Sequence, residues 1–414
     1  MKQRKRISPI SIGLLCSLLH CAILSSAQDI GSQIPNATPE ITVKEYIVFD
    51  GLEGWQHEGV MYRLACAAMV AQAPSGDLLC WWLSGSDKEP STDNCILMAR
   101  SKDRGHTWSE PRVMIPAGEM AGALTIMYTG PKKQLIGLGA HWPPEKLYTE
   151  WHWFRIESTD SGYTWTEPEP FVLHGDHASV CQGPVRLRNG ELLLPGQFFD
   201  ERPKPFVAPV EQLVHAKTEE EAQAMPPGPG TPAVEYATHL NGCCVFIDRV
   251  GDARNFEEYG YVANRPLGLL EPTCIQLKDG RIVMLMRAEW GGFLWRAESS
   301  DNGRTWTKAW QTDIPNPTSL THLVRLPDER IALIHNATGG IVGKRAHRDP
   351  LSIWISDDEM ESWAIKADVI HGGELAYPNG MILEDRLVFT YDRDRRQARF
   401  VEVEIPRWQG MSEP

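Results

Sequence analysis

The chain has 414 residues, of which 42% are hydrophobic and 15 are tryptophan, a composition typical of a packed globular body and not of a disordered chain. Its formal net charge is −13, and an acidic body of this kind is a poor binder of nucleic acid. Because no cysteine or histidine spacing forms a zinc motif and no glycine-rich stretch forms a phosphate loop, we expect no cofactor, no metal and no nucleic-acid partner.

The first 27 residues, "MKQRKRISPISIGLLCSLLHCAILSSA", have a basic start, an apolar run and small residues at the end. This order predicts a signal peptide, 1–27, that is cleaved near Ala27. The alternative is an uncleaved anchor, but His20 and several serines interrupt the apolar run. We therefore expect an exported protein, periplasmic or extracellular, with no membrane span in the mature chain.

A strand is predicted next, over residues 40–51, because "EITVKEYIVFDG" alternates in polarity. Six apolar hairpins follow, "SGDLLCWW", "PKKQLIGLG", "RNGELLLP", "KDGRIVML", "PDERIALI" and "LEDRLVFT", spaced by 57, 57, 90, 49 and 56 residues. Repeats of this length with four strands apiece are typical of propeller blades. The sequence therefore predicts an all-β fold, a six-bladed β-propeller of four-stranded antiparallel blades over 40–406, in which the strand at 40–51 joins the last blade and closes the ring.

An octapeptide also recurs in register, as "SKDRGHTW" (101–108), "STDSGYTW" (158–165) and "SSDNGRTW" (299–306), with a degenerate copy "SDDEMESW" (356–363). We place it in the turn between the third and fourth strands of a blade. There the Asp carboxylate accepts backbone N–H groups, the Gly takes a positive φ and the Trp packs between blades. The octapeptide is thus predicted to have a structural role.

The third unit is longer than the others because of residues 200–235, in which a helical piece over 209–224 precedes a Pro/Gly run. We interpret this segment as a loop insertion on one blade. Seven cysteines remain after the signal peptide, and most lie in apolar runs such as "RLACAAMV". Buried structural cysteines are expected, with at least one free thiol because the number is odd, and a bridge between Cys80 and Cys95 on neighbouring strands is possible.

The octapeptides resemble the Asp boxes of the sialidase (neuraminidase) superfamily, and nearly the whole mature chain resembles its bacterial BNR-repeat members. This resemblance implies an active site over the central channel, at the starts of the inner strands. It also implies an exo-acting glycoside hydrolase that removes a terminal acidic sugar, sialic acid or similar, from a glycan with retention. The expected partner is a glycan or glycoconjugate with a carboxylated sugar.

The stretch "LEPTCIQLKDGRIVMLMR" (270–287) is a hairpin that brings Glu271 and Arg287 to the same end of blade four. The resemblance implies that Glu271 polarises the nucleophile and that Arg287 grips the substrate carboxylate. Two further arginines complete this implied triad. They are Arg63 in "MYRLACAAMV", where the family prefers Ile-Pro after the arginine, and Arg348 in "KRAHRDPLSIWISDD", with Arg345 as a competitor.

Tyr377 in "GGELAYPNGMILEDRLVF" matches the family's nucleophile. A carboxylate nucleophile would be repelled by the carboxylate of the sugar, whereas a phenol is neutral and needs a base, here Glu271. The acid/base is predicted to be Asp87 in "WWLSGSDKEPSTDNC", with Asp93 as the alternative. Each of these residues could instead have a purely structural role. Tyr377 would then be a packed strand residue, Glu271 and Arg287 a surface ion pair, and Asp87 or Asp93 a loop carboxylate.

Two other functions fit the same sequence. One is an enzyme acting on another acidic glycan, a uronic-acid hydrolase or lyase, which would keep the arginine cluster. The other is a non-catalytic glycan-binding propeller, since propellers are reused for many functions.

Overall fold

The computed structural model describes residues 41–118, 120–143, 151–173, 178–201, 207–209, 233–235, 239–263, 268–289, 292–340 and 346–405. Every regular element in these ranges is a β-strand, and none of the described residues forms a helix that could span a membrane. The first strand, β1 (Thr42–Asp50), precedes a short hairpin of β2 (Trp55–His57) and β3 (Val60–Tyr62). The predicted signal peptide, 1–27, lies outside the described residues.

The next strands form the first three blades. Blade one contains β4 (Cys66–Gln72), β5 (Leu78–Ser84), β6 (Cys95–Ser101) and β7 (Arg112–Ile115). Blade two contains β8 (Ala121–Thr129), β9 (Leu135–Trp142), β10 (His152–Ser158) and β11 (Glu169–Phe171). In blade three, two short inner strands, β12 (Ala178–Val180) and β13 (Val185–Arg186), both pair with β14 (Leu192–Glu201). A hairpin of β15 (Val207–Pro209) and β16 (Ala233–Glu235) then precedes β17 (His239–Asp248) and β18 (Glu257–Ala263).

The last three blades complete the ring. Blade four contains β19 (Leu269–Gln276), β20 (Ile282–Ala288), β21 (Gly292–Ser299) and β22 (Trp310–Asn316). Blade five contains β23 (His322–Arg325), β24 (Ile331–His335), β25 (Leu351–Ser356) and β26 (Ile365–Ile370). Blade six contains β27 (Leu375–Leu383), β28 (Arg386–Arg393) and β29 (Gln397–Glu404), and β1 pairs with β29 as its outer strand. The predicted six-bladed propeller is confirmed, and so is its closure by the strand at 40–51.

The hydrophobic core is divided into six clusters, each centred between two consecutive blades. Strands such as β5, which is buried along its whole length, therefore bury both faces. This explains why their sequences are continuous apolar runs and do not alternate in polarity. Removing apolar surface from water between blades is the main force that holds the ring together.

Because successive strands of a blade are antiparallel, the two ends of the propeller carry different segments. One end, the upper face, carries the starts of the first strands and the loops between second and third strands. The opposite end carries the turns between third and fourth strands, which are the octapeptides. The insertion of blade three joins β14 to β17 and so leaves the ring at the upper face. Its predicted helix, 209–224, lies outside the described residues apart from Pro209, which belongs to β15.

The octapeptide turns have the predicted geometry. The Asp103 carboxylate accepts the Thr107 backbone N–H at 2.9 Å and the Thr107 hydroxyl at 2.6 Å. The Ser101 hydroxyl accepts the Gly105 N–H at 2.7 Å, and Gly105 has a φ of 97°. Trp108 packs against the cluster between blades six and one. These turns lie away from the upper face, which supports their structural role.

Two further turns at this end differ from the octapeptide in sequence. In the degenerate copy, Met360 replaces the glycine at a φ of 69°, and its N–H still reaches the Ser356 hydroxyl at 2.8 Å. In blade three, the Asp248 carboxylate accepts the Val250, Gly251 and Ala253 N–H groups. The sequence pattern did not indicate this last turn, because an aspartate takes the place of the serine.

All seven cysteines of the described chain are buried, as expected, and all seven are free. The alternative of a Cys80–Cys95 bridge is wrong. Cys80 lies opposite Ala99 and Cys95 lies opposite Ser84, so the two are offset by four residues along paired strands. That offset is about 13 Å at the usual rise per residue, which exceeds the reach of a disulfide.

We expect Gly105→Ala to destabilise the protein by about 3 kcal/mol. A methyl group at this position overlaps the Phe400 ring of blade six, and the positive φ adds strain. Gly76→Ala is the matched control, since Gly76 has a similar φ of 92° but no heavy atom near the added methyl. It is expected to cost only about 1 kcal/mol. Urea unfolding of both variants measures the difference, and equal losses would contradict packing of this turn on blade six.

Candidate functional site

Three inner strands carry the same irregularity at the upper face. Ala67 in β4, Glu271 in β19 and Tyr377 in β27 have φ values of 52°, 48° and 54°, and each lies in a register shift of its strand. Non-glycine residues in this left-handed region cost about 1–3 kcal/mol each and cluster at functional sites. Pro272 and Pro378 follow two of them and cannot donate a ladder hydrogen bond, which favours a bulge there. The bulges re-aim the side chains of Glu271 and Tyr377 away from regular pleating.

Glu271 and Arg287 are in direct contact, as the hairpin spacing predicts. Arg287 Nη1 donates to Glu271 Oε2, and Arg287 Nε donates to Thr318 Oγ1 at 2.9 Å. The Glu271 backbone N–H donates to Gln197 Oε1 of blade three at 2.9 Å, which ties the bulge to its neighbour. Burial acts to lower the pKa of Arg287, but the Glu271 charge and hydrogen bonds to Glu271 and Tyr377 raise it overall. Arg287 is therefore a permanently charged partner of Glu271.

Tyr377 lies against these charged groups. The Glu271 charge, followed by burial, raises the pKa of the Tyr377 phenol, and Arg287 and Arg348 oppose this shift. At neutral pH the phenol is therefore protonated. A phenol in this state becomes nucleophilic only if a neighbouring base accepts its proton as it reacts.

Arg348 lies over the Tyr377 ring, with its guanidinium carbon 5.6 Å from the ring centroid. Its Nη2 donates to the Thr318 backbone carbonyl at 2.9 Å. Within the described part of the chain, no ion pair is formed by Arg348. Thr318 thus holds both Arg287 and Arg348, and it stands at a positive φ of 70°. The structure brings together four of the predicted site residues, Glu271, Arg287, Arg348 and Tyr377.

The other two predicted residues, Asp87 and Arg63, lie on the same face, but within the described chain no hydrogen bond or ion pair joins their side chains to this group. Asp87 forms an ion pair with Arg396, and its side chain is 72% exposed. Arg63 is exposed, and among the described residues no hydrogen bond or ion pair joins its side chain to Glu271 or Tyr377. Asp93, the alternative to Asp87, accepts the Ser86 N–H at 2.8 Å and so orders its own loop. Arg345 lies outside the described residues.

Three charged residues near Tyr377 were missed by the sequence reasoning. Arg395 forms an ion pair with Glu89 at 3.0 Å, and Asp392 accepts the Ala67 N–H at 3.0 Å. Burial raises the pKa of Asp392 to about 7, with Glu89 adding to the shift and Arg395 and Arg348 opposing it. The available signal was "YDRDRR" (391–396), a run of charges at the end of an apolar strand.

The chemistry of this cluster is that of acids, bases and guanidinium groups. No group of three potential metal ligands occurs among the residues that the structure describes. A phenol, an adjoining carboxylate and arginines at one face suit proton transfer and the binding of an anion.

Comparisons with solved structures agree with this architecture. A protein of unknown function from Dyadobacter fermentans is similar over 88% of this chain and 99% of its own, with a TM-score of 0.63 and 15% identity. The NanB sialidase of Streptococcus pneumoniae is similar over 87% of this chain and 70% of its own, with a TM-score of 0.63 and 11% identity. An alpha-L-arabinanase of Penicillium chrysogenum, complexed with arabinobiose, covers 89% and 99%, with a TM-score of 0.54 and 15% identity. At these identities the likeness concerns the fold.

The strands and turns thus define a six-bladed propeller built from Asp-box repeats. The sequence profile of the BNR repeat-like domain matches residues 76–389, and the chain belongs to this family. The predicted resemblance to BNR-repeat proteins is confirmed, and the fold is similar to that of a sialidase. No curated protein matches the chain.

Proposed function

We propose that this protein is an exo-acting glycoside hydrolase of sialidase type, which removes a terminal acidic sugar from a glycan with retention of configuration. The observation that carries the proposal is the coupling of Tyr377 to Glu271 and Arg287 at one face of the propeller. A protonated phenol beside a carboxylate is the pair that a tyrosine nucleophile requires.

In the first step, Tyr377 Oη forms a bond to the anomeric carbon and gives its proton to the Glu271 carboxylate. The glycosidic bond breaks, and the leaving oxygen takes a proton from the general acid. Arg287 stays hydrogen-bonded to Glu271 and holds that carboxylate toward the phenol. The product of this step is a tyrosyl-glycoside.

In the second step, the same acid, now a carboxylate, removes a proton from water, and the water oxygen attacks the anomeric carbon from the opposite side. The bond to Tyr377 Oη breaks, and Glu271 returns the proton to the phenol. Two inversions give net retention. We propose Asp87 for this acid/base role, in which substrate binding must displace it from Arg396.

The acidic group of the sugar binds to arginine in this proposal. Arg348 is the best placed, because it lies over Tyr377 and forms no ion pair within the described chain. Arg287 is already paired with Glu271, so it supports the site more than it attracts the substrate. Arg63 is proposed as the third arginine on the family pattern.

The propeller of residues 40–406 is the proposed catalytic domain, and residues 1–27 are the proposed signal peptide, removed near Ala27 for export. Intact mass measurement of protein recovered from outside the cytoplasm tests this. A mass that includes residues 1–27 would contradict cleavage.

The test of function is turnover of 4-methylumbelliferyl glycosides of sialic acid, glucuronic acid and arabinose by the purified protein. We expect release of 4-methylumbelliferone from the acidic glycosides, with the sialoside fastest. Turnover of the glucuronide alone would favour an enzyme for uronic-acid glycans. Turnover of the neutral arabinoside alone would contradict a role for the arginines in binding a carboxylate.

A further inference from the structure

The upper face contains a charged cavity that Arg348 of the proposed site shares with several residues that the proposed mechanism does not use. This cavity of about 380 Å³ is lined by Thr318, Arg348, Glu374, Asp392, Asp394 and Arg395, among others. Its guanidinium groups come from two blades. Arg348 precedes β25 in blade five, and Arg395 lies in the turn between β28 and β29 in blade six.

Asp392 lines the same cavity and has an incomplete set of hydrogen bonds. Its side chain is fully buried, and Oδ2 accepts the Ala67 N–H at 3.0 Å. Oδ1 is also buried and has no hydrogen-bond partner within the described protein. A buried carboxylate with a free oxygen is costly unless nearby charges compensate it or it takes up a proton.

We propose that Asp392 is a positioning residue, whose negative charge attracts Arg348 and Arg395 across the cavity while it is ionised and leaves them to the anionic group of the substrate when it is protonated. This inference rests on the proposed function, and it adds Arg395 to the arginines that bind the acidic sugar. Asp392 does not touch the substrate in this scheme; it competes with it for the same two cations.

The groups facing Asp392 support this competition. Burial raises the pKa of Asp392 to about 7, Glu89 of blade one adds to the shift, and the Ala67 N–H, Arg395 and Arg348 oppose it. Arg395 is in turn paired with Glu89 at 3.0 Å. The Cys66 thiol also faces Asp392 and Arg395, and because burial raises its pKa well above the ordinary value it stays neutral over this pH range. An anion bound to Arg348 and Arg395 adds a like charge near Asp392 and favours its protonated form.

The sign of the pH dependence follows from this coupling. Below about pH 7, Asp392 is protonated and the two arginines are available, so affinity for an acidic sugar is constant. Above this pH, Asp392 must take up a proton for the anion to bind, so affinity falls by up to about tenfold per pH unit. By reciprocity, binding at pH 8 is accompanied by uptake of close to one proton.

The experiment is isothermal titration calorimetry of the purified protein with 2,3-didehydro-2-deoxy-N-acetylneuraminic acid and with glucuronic acid, from pH 5.5 to 8.5. Two buffers of different ionisation enthalpy give the number of protons taken up. The methyl ester of the sialic acid analogue is the uncharged comparison. For the wild-type protein we expect proton uptake at pH 8 with at least one of the two acids, and weaker binding with each unit above pH 7.

Asp392→Asn keeps an acceptor for the Ala67 N–H but cannot ionise. It is expected to bind the acid with nearly the same Kd from pH 5.5 to 8.5 and without proton uptake. Asp394→Asn is the matched control, because Asp394 is an exposed acid of the same cavity whose Oδ1 accepts the Glu374 N–H at 2.7 Å. It is expected to behave as the wild type does.

Binding of an acid without proton uptake by the wild type, or with the same pH dependence in Asp392→Asn, would overturn this inference and leave the proposed function standing. The wild-type proton count decides this even if the variant does not fold. Failure of both acids to bind at any pH would overturn the inference and the proposed function together.

Discussion

Tyr377→Phe is expected to lower kcat by on the order of 10⁴-fold, while the free energy of unfolding changes by less than about 1 kcal/mol. The variant lacks the oxygen that forms the bond to the anomeric carbon. It keeps the aromatic ring that packs beside the core cluster and under Arg348. Because binding through the arginines is retained, KM should change by less than about threefold. Steady-state kinetics on the best 4-methylumbelliferyl glycoside measures both parameters.

Tyr391→Phe is the matched control for this prediction. Tyr391 lies in the adjacent strand, where its hydroxyl is hydrogen-bonded to Glu45 on β1 and not to the proposed site. This variant is expected to lose about 1 kcal/mol of stability and to retain its turnover. If Tyr377→Phe keeps turnover near the wild-type value, Tyr377 is not the nucleophile.

Arg287→Ala has the second-largest expected effect. The side chains of Arg287 and Glu271 are only 10% and 16% exposed, so removal of the arginine leaves Glu271 poorly solvated and without its ion-pair partner. We expect a loss of about 3 kcal/mol in the free energy of unfolding, because breaking a buried ion pair costs far more than breaking an exposed one. Turnover should fall as well, since the freed Glu271 carboxylate disfavours any negative charge on Tyr377 still more.

Urea unfolding measures the loss in the free energy of unfolding of Arg287→Ala. The control is Arg281→Ala, in the turn of the same hairpin, where the arginine is 38% exposed and paired with Asp279 and Glu298. It is expected to cost about 1 kcal/mol or less. Similar losses for the two variants would contradict the special burial of the Glu271–Arg287 pair.

The fold was predictable because its signals are local and repeated. The hydrogen bonds of the octapeptide lie within Ser101 to Thr107, and six recurring apolar hairpins indicate the six blades. The hairpin of 270–287 likewise determines that Glu271 and Arg287 meet, because antiparallel pairing sets Arg287 opposite Leu270. In each case a short stretch of sequence determines the contact.

The rest of the site depends on contacts between distant segments. Asp392 is fixed by the Ala67 N–H, which is 325 positions away in the sequence, and Arg395 meets Glu89 from a loop of blade one. The hydrophobic periodicity of a single strand does not indicate contacts between segments that lie far apart in the sequence. Burial raises the pKa of Asp392, and charged groups from blades one, five and six modify it. These groups come together only in the folded ring.

The suggested disulfide between Cys80 and Cys95 is wrong for a related reason. Both residues lie in neighbouring strands, but the register places them four residues apart. Strand adjacency was therefore predictable from the repeat, whereas the register of these two strands, which a long loop joins, was not.

The central claim is that Tyr377 carries the glycosyl group. Incubation with a 2,3-difluorinated sialic acid, which forms the intermediate but slows its hydrolysis, followed by proteolysis and tandem mass spectrometry, locates the covalent adduct. We predict one adduct, on the peptide that contains Tyr377, and none in Tyr377→Phe. An adduct on Glu271 or on another residue, or turnover of the sialoside with inversion, would contradict the mechanism.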